Sequence, residues 1–375
     1  MKFKIKRSEL VEALNIVSGA LPIKTPMPAL TGILFSVENG VITIVTSNSE
    51  ISLRTKIECD GAENGKALIP GKMFVNIIKS LAAENVEIKC ENSTCEINAD
   101  KGKYQLKLMD VTLYPDVAFS NDAATTTFKI SGAQFADLVK KVSAAVATSE
   151  KKPILTGVNI KANSKGVVAT TTDTFRLSQK SLAIEGTTET EFSITIPMAS
   201  VNTILCFAKG DEMLEFKMNM NRIFISTATM DFVSILLDGN YPDTTRLTTL
   251  EFANHFEFDK MELLNAIDRA VILSPNDSAK DREITYNVVS MQSVDEKFSV
   301  LRVVNGMIGE ANELVAFKGE GTFKFSVNGK YFADALKSLE GEVVKININN
   351  ATSPFTVSSD KDLNNYQLLL PVRVE

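Results

Sequence analysis

Apolar residues recur along the chain with two different spacings, and the longer spacing predicts helices. Leu10, Leu14 and Val17 stand at positions that share one face of a helix with 3.6 residues per turn. The same pattern predicts six helices, near residues 8–18, 71–82, 133–148, 199–209, 260–273 and 329–339. Ser8 and Ser131 stand where helix N-caps are expected.

The shorter spacing, in which apolar and polar residues alternate, fills the segments between these helices. Residues 33–37 and 41–45 are two such runs, and Asn39-Gly40 lies between them. This dipeptide favours the type I′ turn of a two-residue β-hairpin because both of its residues tolerate a positive φ. The pattern therefore predicts antiparallel sheets that carry short helices.

The whole pattern repeats along the chain. Three segments return 125 or 127 residues later: Phe3-Lys4-Ile5 as 128–130, 28–32 as 153–157, and Tyr114-Pro115-Asp116 as 241–243. A weaker third copy begins at 256–258, and Tyr104-Gln105-Leu106 returns at 366–368. Three copies of 125 residues account for all 375. We therefore predict an α+β protein of three homologous domains, 1–120, 127–246 and 252–375, each with two helices packed on antiparallel sheets.

Charge is distributed unevenly between the predicted helices and the rest of the chain. The sequence has 40 basic and 46 acidic residues, so its net charge of −6 does not favour a wholly basic surface. The six helix windows nevertheless hold nine basic and six acidic residues, a balance of +3. If the repeats place their helices on one side, their lysines form a local basic surface that contacts phosphates without reading base sequence.

Residues suited to catalysis or metal binding are scarce. His255 is the only histidine and cannot complete a metal site with four scattered cysteines, which we expect to be reduced structural thiols: Cys59, Cys90, Cys95 and Cys206. The glycine-rich segment 61–66 lacks the Ser or Thr that a phosphate-binding loop needs after its lysine. We therefore expect no catalytic residue, metal or cofactor. The charged N-terminus and the lack of a long apolar run favour a cytoplasmic protein.

The second repeat departs from the first in ways that suggest a partner site. Where the first reads 46–51 as TSNSEI, the second reads 171–176 as TTDTFR, and Arg246 replaces the equivalent of Phe119. The chain ends in the apolar segment 368–374. Leu368 and Leu370 fit either a buried last strand or a partner surface, whereas the strand is expected to stop at Pro371.

Several motifs in the same order resemble the bacterial DNA polymerase III beta subunit family along the whole chain. They are Met1-Lys2-Phe3, 152–157, 172–178, 240–243, 270–274 and the apolar-Pro-apolar-Arg-apolar pattern of 370–374. The resemblance implies two chains joined head to tail in a closed ring, with helices on the inner wall and sheets outside. It also implies a processivity factor without activity of its own, which encircles duplex DNA and binds DNA polymerase, the clamp loader and repair proteins through short peptide motifs.

The resemblance also implies three sets of functional residues. The partner-peptide groove would be formed by Leu155, Thr172, Thr174, Phe175, Arg176, Leu177, Pro242, Arg246, Leu247, Leu368, Leu370, Pro371, Val372, Arg373 and Val374. DNA would meet Lys24, Lys72 and Lys79, to which the helix charges add Lys140 and Lys141, and the dimer interface would contain Tyr104, Ile272 and Leu273. The family usually has Gly or Ser and then His at positions 174 and 175, so Thr174 and Phe175 predict a bulkier groove rim.

Two other interpretations remain open on sequence alone. One is a monomeric peptide-binding adaptor of the same fold that never closes into a ring. The other is a three-domain hydrolase or transferase with an acidic cleft, which would require convergent carboxylates that the repeats do not reveal. A solution mass of twice 41.0 kDa would favour the ring.

Overall fold

The computed structural model describes residues 1–100, 102–120, 126–184, 188, 191–219, 221–274 and 287–373. Its α-helices are α1 (Arg7–Val17), α2 (Gly71–Ser80), α3 (Gly132–Val142), α4 (Met198–Phe207), α5 (Thr245–Thr248), α6 (Lys260–Ile272) and α7 (Gly329–Ser338). All six predicted helices are confirmed. The short helix α5 was not predicted, because four residues are too few to show a periodic pattern.

The strands follow the order of the repeats. The first repeat contains β1 (Lys2–Lys6), β2 (Gly32–Glu38), β3 (Val41–Ser47), β4 (Ile51–Glu58), β5 (Asp60–Glu63), β6 (Gly65–Pro70), β7 (Asn85–Glu91), β8 (Thr94–Ala99) and β9 (Gly102–Lys107). The second contains β10 (Thr126–Ser131), β11 (Gly157–Asn163), β12 (Gly166–Thr172), β13 (Arg176–Ala183), β14 (Phe192–Pro197), β15 (Met213–Met218), β16 (Arg222–Ser226) and β17 (Met230–Ile235). The third contains β18 (Asn254–Asp259), β19 (Val288–Ser293), β20 (Phe298–Asn305), β21 (Gly309–Ala316), β22 (Lys324–Asn328), β23 (Val343–Ile348), β24 (Phe355–Ser358) and β25 (Asn365–Leu369).

Local turn and cap geometry agrees with the sequence at two of three positions. Asn39 and Gly40 both have positive φ, 51° and 80°, and connect β2 to β3, which confirms the predicted hairpin. Ser131 caps α3: its Oγ accepts the N–H of Gln134 at 3.2 Å, and Gln134 Oε1 accepts the N–H of Ser131 at 3.2 Å. The prediction for Ser8 is wrong. Helix α1 starts at Arg7 directly after β1, and the N–H of Arg7 already donates to the carbonyl of Glu84.

The described residues form two compact units, and each unit contains a sheet that crosses a repeat boundary. One unit is built mainly from residues within 1–136 and 199–236, and the other from 137–184, 191–198 and 237–373. In the first unit, β4 pairs with β17 in an eight-stranded antiparallel sheet of order β10-β15-β16-β17-β4-β3-β2-β6. A second sheet has the order β5-β1-β7-β8-β9.

The second unit repeats this arrangement. Strand β13 pairs with β25, from Arg176 opposite Leu369 to Lys180 opposite Asn365. The pairing completes an eight-stranded sheet of order β14-β11-β12-β13-β25-β24-β23-β18, beside a four-stranded sheet of order β21-β20-β19-β22. Both boundaries therefore pair the fourth strand of one repeat with the last strand of the next.

Apolar faces of the helices form the cores together with the inner faces of the sheets. In the third repeat, Phe332 of α7 packs with the sheet residues Phe325 and Phe355, and all three are almost fully buried. The rings of Phe325 and Phe355 lie 4.8 Å apart between centroids. None of the helices in the described segments is long and apolar enough to cross a membrane.

Beside β13 and β25, buried ionic groups connect the second and third repeats. The ammonium of Lys180 donates to Asp362 Oδ1 at 2.5 Å, and both residues are buried. Asp362 Oδ2 also accepts from Asn365 Nδ2 at 2.8 Å and lies 3.6 Å from Lys141 Nζ. Burial raises the pKa of the Asp362 carboxyl, but the hydrogen bonds from Lys180 and Asn365 and the positive charges of Lys180 and Lys141 together outweigh burial, so the pKa is lowered overall.

The buried carboxylate of Asp362 should stabilise the folded protein. We expect Asp362→Asn to lower the free energy of unfolding at neutral pH by about 3 kcal/mol, because buried Lys180 would keep its charge with only the more distant Asp137, at 3.9 Å, as a counterion. The matched control is Asp360→Asn, whose ion pair with Lys345 is exposed and should contribute less than about 1 kcal/mol. Urea unfolding of the two variants measures the difference, and equal losses would contradict the assignment.

The same carboxylate makes the stability depend on pH. Its folded pKa is lowered below the ordinary aspartate value of about 4. Its contribution is therefore complete above about pH 4 and is lost as the pH falls through the folded pKa. The stability difference between wild type and Asp362→Asn should accordingly shrink in acid.

Candidate functional site

The loop before β13 has the same backbone in the first two repeats. Asp173 Oδ1 accepts the N–H groups of Phe175 and Arg176 at 2.9 and 3.0 Å, and Thr174 has a φ of 78°. In the first repeat, Asn48 Oδ1 accepts the N–H groups of the equivalent two residues at 3.1 and 2.8 Å, and Ser49 has a φ of 79°. The turn is therefore shared, and the difference lies in the side chains that it presents.

Arg176 is held by four groups from both sides of the repeat boundary. Its Nε lies 2.9 Å from Asp173 Oδ2 and its Nη1 lies 2.8 Å from Asp334 Oδ2. Its Nη2 donates to the carbonyl of Ala144, and the guanidinium lies 4.0 Å from the centre of the Tyr331 ring. Because these partners occupy the guanidinium, Arg176 positions the loop against α7 and has little capacity left to hold a ligand directly.

Apolar side chains of the predicted groove fall into a buried and an exposed group. Leu155, Leu177 and Leu368 are 1–3% exposed and belong to the interior of the fold. Phe175, Leu247 and Leu370 are 37–39% exposed, and Val372 is half-buried. The second group is the part of the predicted groove that reaches the surface, and we call it the exposed groove residues: Phe175, Leu247, Leu370 and Val372.

Backbone hydrogen bonds fix the tail that follows β25. The strand ends at Leu369, as expected from Pro371. The N–H of Leu370 donates to the carbonyl of Phe175 at 2.9 Å, and the N–H of Val372 donates to the carbonyl of Ser326 at 2.7 Å. Arg373 is exposed, whereas Val374 lies outside the described residues.

Other residues of the predicted groove lie on α5 and in the turn before it. Asp243 Oδ1 accepts from the N–H and Oγ1 of Thr245 at 3.0 and 2.6 Å, and these bonds lower the pKa of the Asp243 carboxyl. Tyr366 on β25 donates its hydroxyl to the carbonyl of Leu247 at 2.6 Å, and burial raises the pKa of Tyr366 to about 12. Pro242 and Arg246 are exposed beside this helix. Thr172 Oγ1 donates to the carbonyl of Arg176 at 2.6 Å.

Sequence reasoning missed the residues that position this site. Tyr331 and Asp334 lie on α7, more than 150 positions after Arg176, and no local pattern links them to it. Asp173 could have been found, because aspartate is frequent in turns, where its side chain accepts backbone N–H groups a few positions further on. Tyr366 is one position from a buried run of β25 and has no such signal.

The predicted DNA-contacting lysines differ in their availability. Lys24, Lys72, Lys79 and Lys140 are exposed and form no ion pair with any described residue. Lys72 and Lys79 are two turns apart on one face of α2. Lys141 instead lies 3.0 Å from Glu340 and 3.6 Å from Asp362, with only 16% of its side chain exposed.

The residues predicted at the dimer interface lie beside two strand edges that have no partner strand in the described part of the chain. Tyr104 is 40% exposed on β9, the last strand of its sheet. Ile272 is 78% exposed at the end of α6, while Leu273 packs partly on the core of the third repeat. Helix α6 is connected to edge strand β21 through Arg269 and Glu313, whose charged atoms are 2.7 Å apart.

Comparison with known proteins identifies the family. Models of the DNA polymerase III beta subunit match the chain three times: the N-terminal domain at 1–118, the central domain at 129–243 and the C-terminal domain at 246–373. The beta sliding clamp of Staphylococcus aureus is 30% identical over 389 aligned residues, which cover 100% of this chain and 99% of that protein.

Solved structures agree with these matches. The DNA polymerase sliding clamp from Bacillus subtilis is 29% identical, with a TM-score of 0.88 and complete coverage of both chains. The DNA polymerase III subunit beta from Pseudomonas aeruginosa has a TM-score of 0.90 at 22% identity, again over both complete chains.

Three homologous repeats joined in series by strand pairing define a three-domain α+β clamp. The chain belongs to the DNA polymerase III beta subunit family. The predicted family resemblance and fold class are thereby confirmed, and membership of a clamp family also confirms that the chain is not an enzyme.

Proposed function

We propose that the chain is a DNA sliding clamp, in which two copies joined head to tail encircle duplex DNA and tether their partners by topology. The observation that carries this proposal is the pairing rule of the repeats. The fourth strand of one repeat pairs with the last strand of the next at both internal boundaries. The fourth strand of the third repeat, β21, and the last strand of the first, β9, are both left as free edges.

A second copy of the chain can pair with the edge strands β21 and β9. Exposed strand edges carry unpaired N–H and C=O groups and tend to pair with another chain. Pairing β21 of one copy with β9 of the other repeats the internal boundary, and doing so twice closes a ring of six domains. A non-closing adaptor, the other candidate, would leave both edges and the apolar residues beside them exposed to water.

DNA contact is proposed for the exposed lysines. Lys24, Lys72, Lys79 and Lys140 offer phosphates ammonium groups that have no ion-pair partner among the described residues, which gives contacts that do not depend on base sequence. Lys141 belongs to the proposed surface through its position on α3. Its two carboxylate partners, Glu340 and Asp362, leave its ammonium group less available to a phosphate.

Partner binding is proposed for the groove between the tail and α5. The exposed groove residues offer apolar contacts to a short peptide of DNA polymerase, the clamp loader or a repair protein. Leu155, Leu177 and Leu368 support this surface from the interior, Arg176 positions the loop before β13, and Thr172, Thr174, Pro242, Arg246, Pro371, Arg373 and Val374 complete the proposed set. We propose domain limits of 1–120, 127–246 and 252–375 and a cytoplasmic location, where these partners act.

Ring closure is tested by truncating one residue on each edge. We expect Tyr104→Ala with Ile272→Ala to convert a dimer to a folded monomer at low micromolar concentration, because each apolar anchor contributes about 1–3 kcal/mol to association. The control is Val294→Ala. Val294 is an exposed apolar residue of the third domain, as Ile272 is, but it does not lie on β21, so this variant should remain dimeric. Sedimentation measures the mass, and a dimeric double variant would remove these residues from the interface.

Topological DNA binding is tested with circular and linear duplex. We expect stable association with a circle after loading, release on linearisation, and only weak, salt-sensitive binding to short duplexes. Lys24, Lys72 and Lys79 changed together to Glu should impair loading without altering the melting temperature. Lys56, Lys165 and Lys297, which are exposed outside the helices, provide a control with the same charge change. Tight, sequence-selective binding to a short duplex would refute the proposal.

Peptide binding is tested at the exposed groove residues. We expect Leu247→Ala with Leu370→Ala to weaken a labelled polymerase peptide at least tenfold, because each loses about 1 kcal/mol or more of apolar contact. Leu113→Ala, an exposed leucine of the first domain, should bind like wild type. Phe175→His should alter the affinity if Phe175 lies on the rim. Fluorescence anisotropy gives the affinities, and four equal values would exclude this groove.

A further inference from the structure

Two buried cysteines face each other across the hairpin formed by β7 and β8. Cys90 and Cys95 are directly opposite in the strand register, and both are buried on the core side of the sheet. The strands are joined by a two-residue turn, in which Asn92 and Ser93 have φ values of 49° and 64°. The pair lies one position away from the residues that flank this turn.

The hydrogen-bond pattern shows which kind of cross-strand pair this is. The N–H of Cys90 donates to the carbonyl of Met1 at 2.8 Å, and the carbonyl of Cys90 accepts from Met1 N at 3.3 Å. Both backbone groups of Cys90 therefore point away from β8. Opposite residues of this non-hydrogen-bonded kind have Cα atoms roughly 4.5 Å apart, within the range of about 4.4–6.8 Å that a disulfide spans.

The two thiols also differ in acidity. A hydrogen bond from the Cys95 thiol lowers the pKa of Cys90, and the same bond together with burial raises the pKa of Cys95. The more acidic thiol is the better candidate to react first with an oxidant, because the thiolate is the nucleophile. Cys90 is also the more exposed of the pair, at 6% against 0%.

We propose that Cys90 and Cys95 form a reversible cross-strand disulfide when the protein meets a small peroxide. The Cys90 thiolate attacks one oxygen of hydrogen peroxide, the O–O bond breaks, and hydroxide leaves as Cys90 becomes a sulfenic acid. Cys95 then loses its proton and attacks the Cys90 sulfur, which expels the sulfenic oxygen as water. The two sulfurs together lose two electrons, and the peroxide gains them. The bond lies in the sheet that has β9 as one of its two edge strands, with Cys95 opposite Leu106 of β9.

The full-length protein provides its own test and internal control. Trypsin cleavage after the lysines at 89 and 101 releases one fragment, 90–101, that contains both cysteines. After peroxide treatment at the dose that consumes the exposed thiol of Cys206, we expect this fragment to lose two hydrogen atoms and both alkylatable thiols. Dithiothreitol should restore both. A fragment that keeps two alkylatable thiols, gains oxygen atoms, or is linked to Cys59 or Cys206 would overturn the proposal.

Two variants separate pairing from simple oxidation. Cys95→Ala should stop at the Cys90 sulfenic acid, which dimedone traps, whereas Cys206→Ala should form the disulfide at the wild-type rate. A Cys95→Ala chain that loses both hydrogens as wild type does would also overturn the assignment. If that variant does not fold, the wild-type fragment map alone decides.

Discussion

Antiparallel pairing across repeat boundaries is the interaction on which the rest of this structure depends. It joins β4 to β17 and β13 to β25 by backbone hydrogen bonds, which any side chain except proline can accompany. The pairing fixes register as well as contact, since a shift of one residue would turn each buried side chain to the opposite face. The same pattern leaves β21, the fourth strand of the third repeat, and β9, the last strand of the first repeat, without such a partner among the described residues.

The two internal boundaries have the same backbone but different side-chain chemistry. At the first, Arg54 pairs with Asp231 at 2.7 Å and lies over the buried ring of Phe119. At the second, Arg176 is turned toward Tyr331 and Asp334, and the exposed Arg246 stands in the place of Phe119. An aromatic side chain that closes the first boundary is thus missing from the second, and the surface beside the tail stays accessible.

Sequence predicted those features that depend on local periodicity or on repetition. The six helices, the Asn39-Gly40 turn and the Ser131 cap follow from residues within a few positions of each other, and the repeats follow from fixed offsets. Features that depend on distant contacts were not predicted. The partners of Arg176 on α7 and the ion pairs of Lys141 arise only when the second repeat meets the third. Ser8 failed as a cap because strand pairing had already satisfied the first helical N–H.

The tail after β25 has a further consequence for how such proteins diverge. Its position is set by two main-chain donors, Leu370 and Val372, rather than by their side chains. Substitutions at these positions can therefore alter the side chains of the proposed peptide surface while the tail itself stays in place. A replication protein could in this way adjust its choice of clients by single mutations, with little risk to its fold, and follow changes in those clients over evolutionary time.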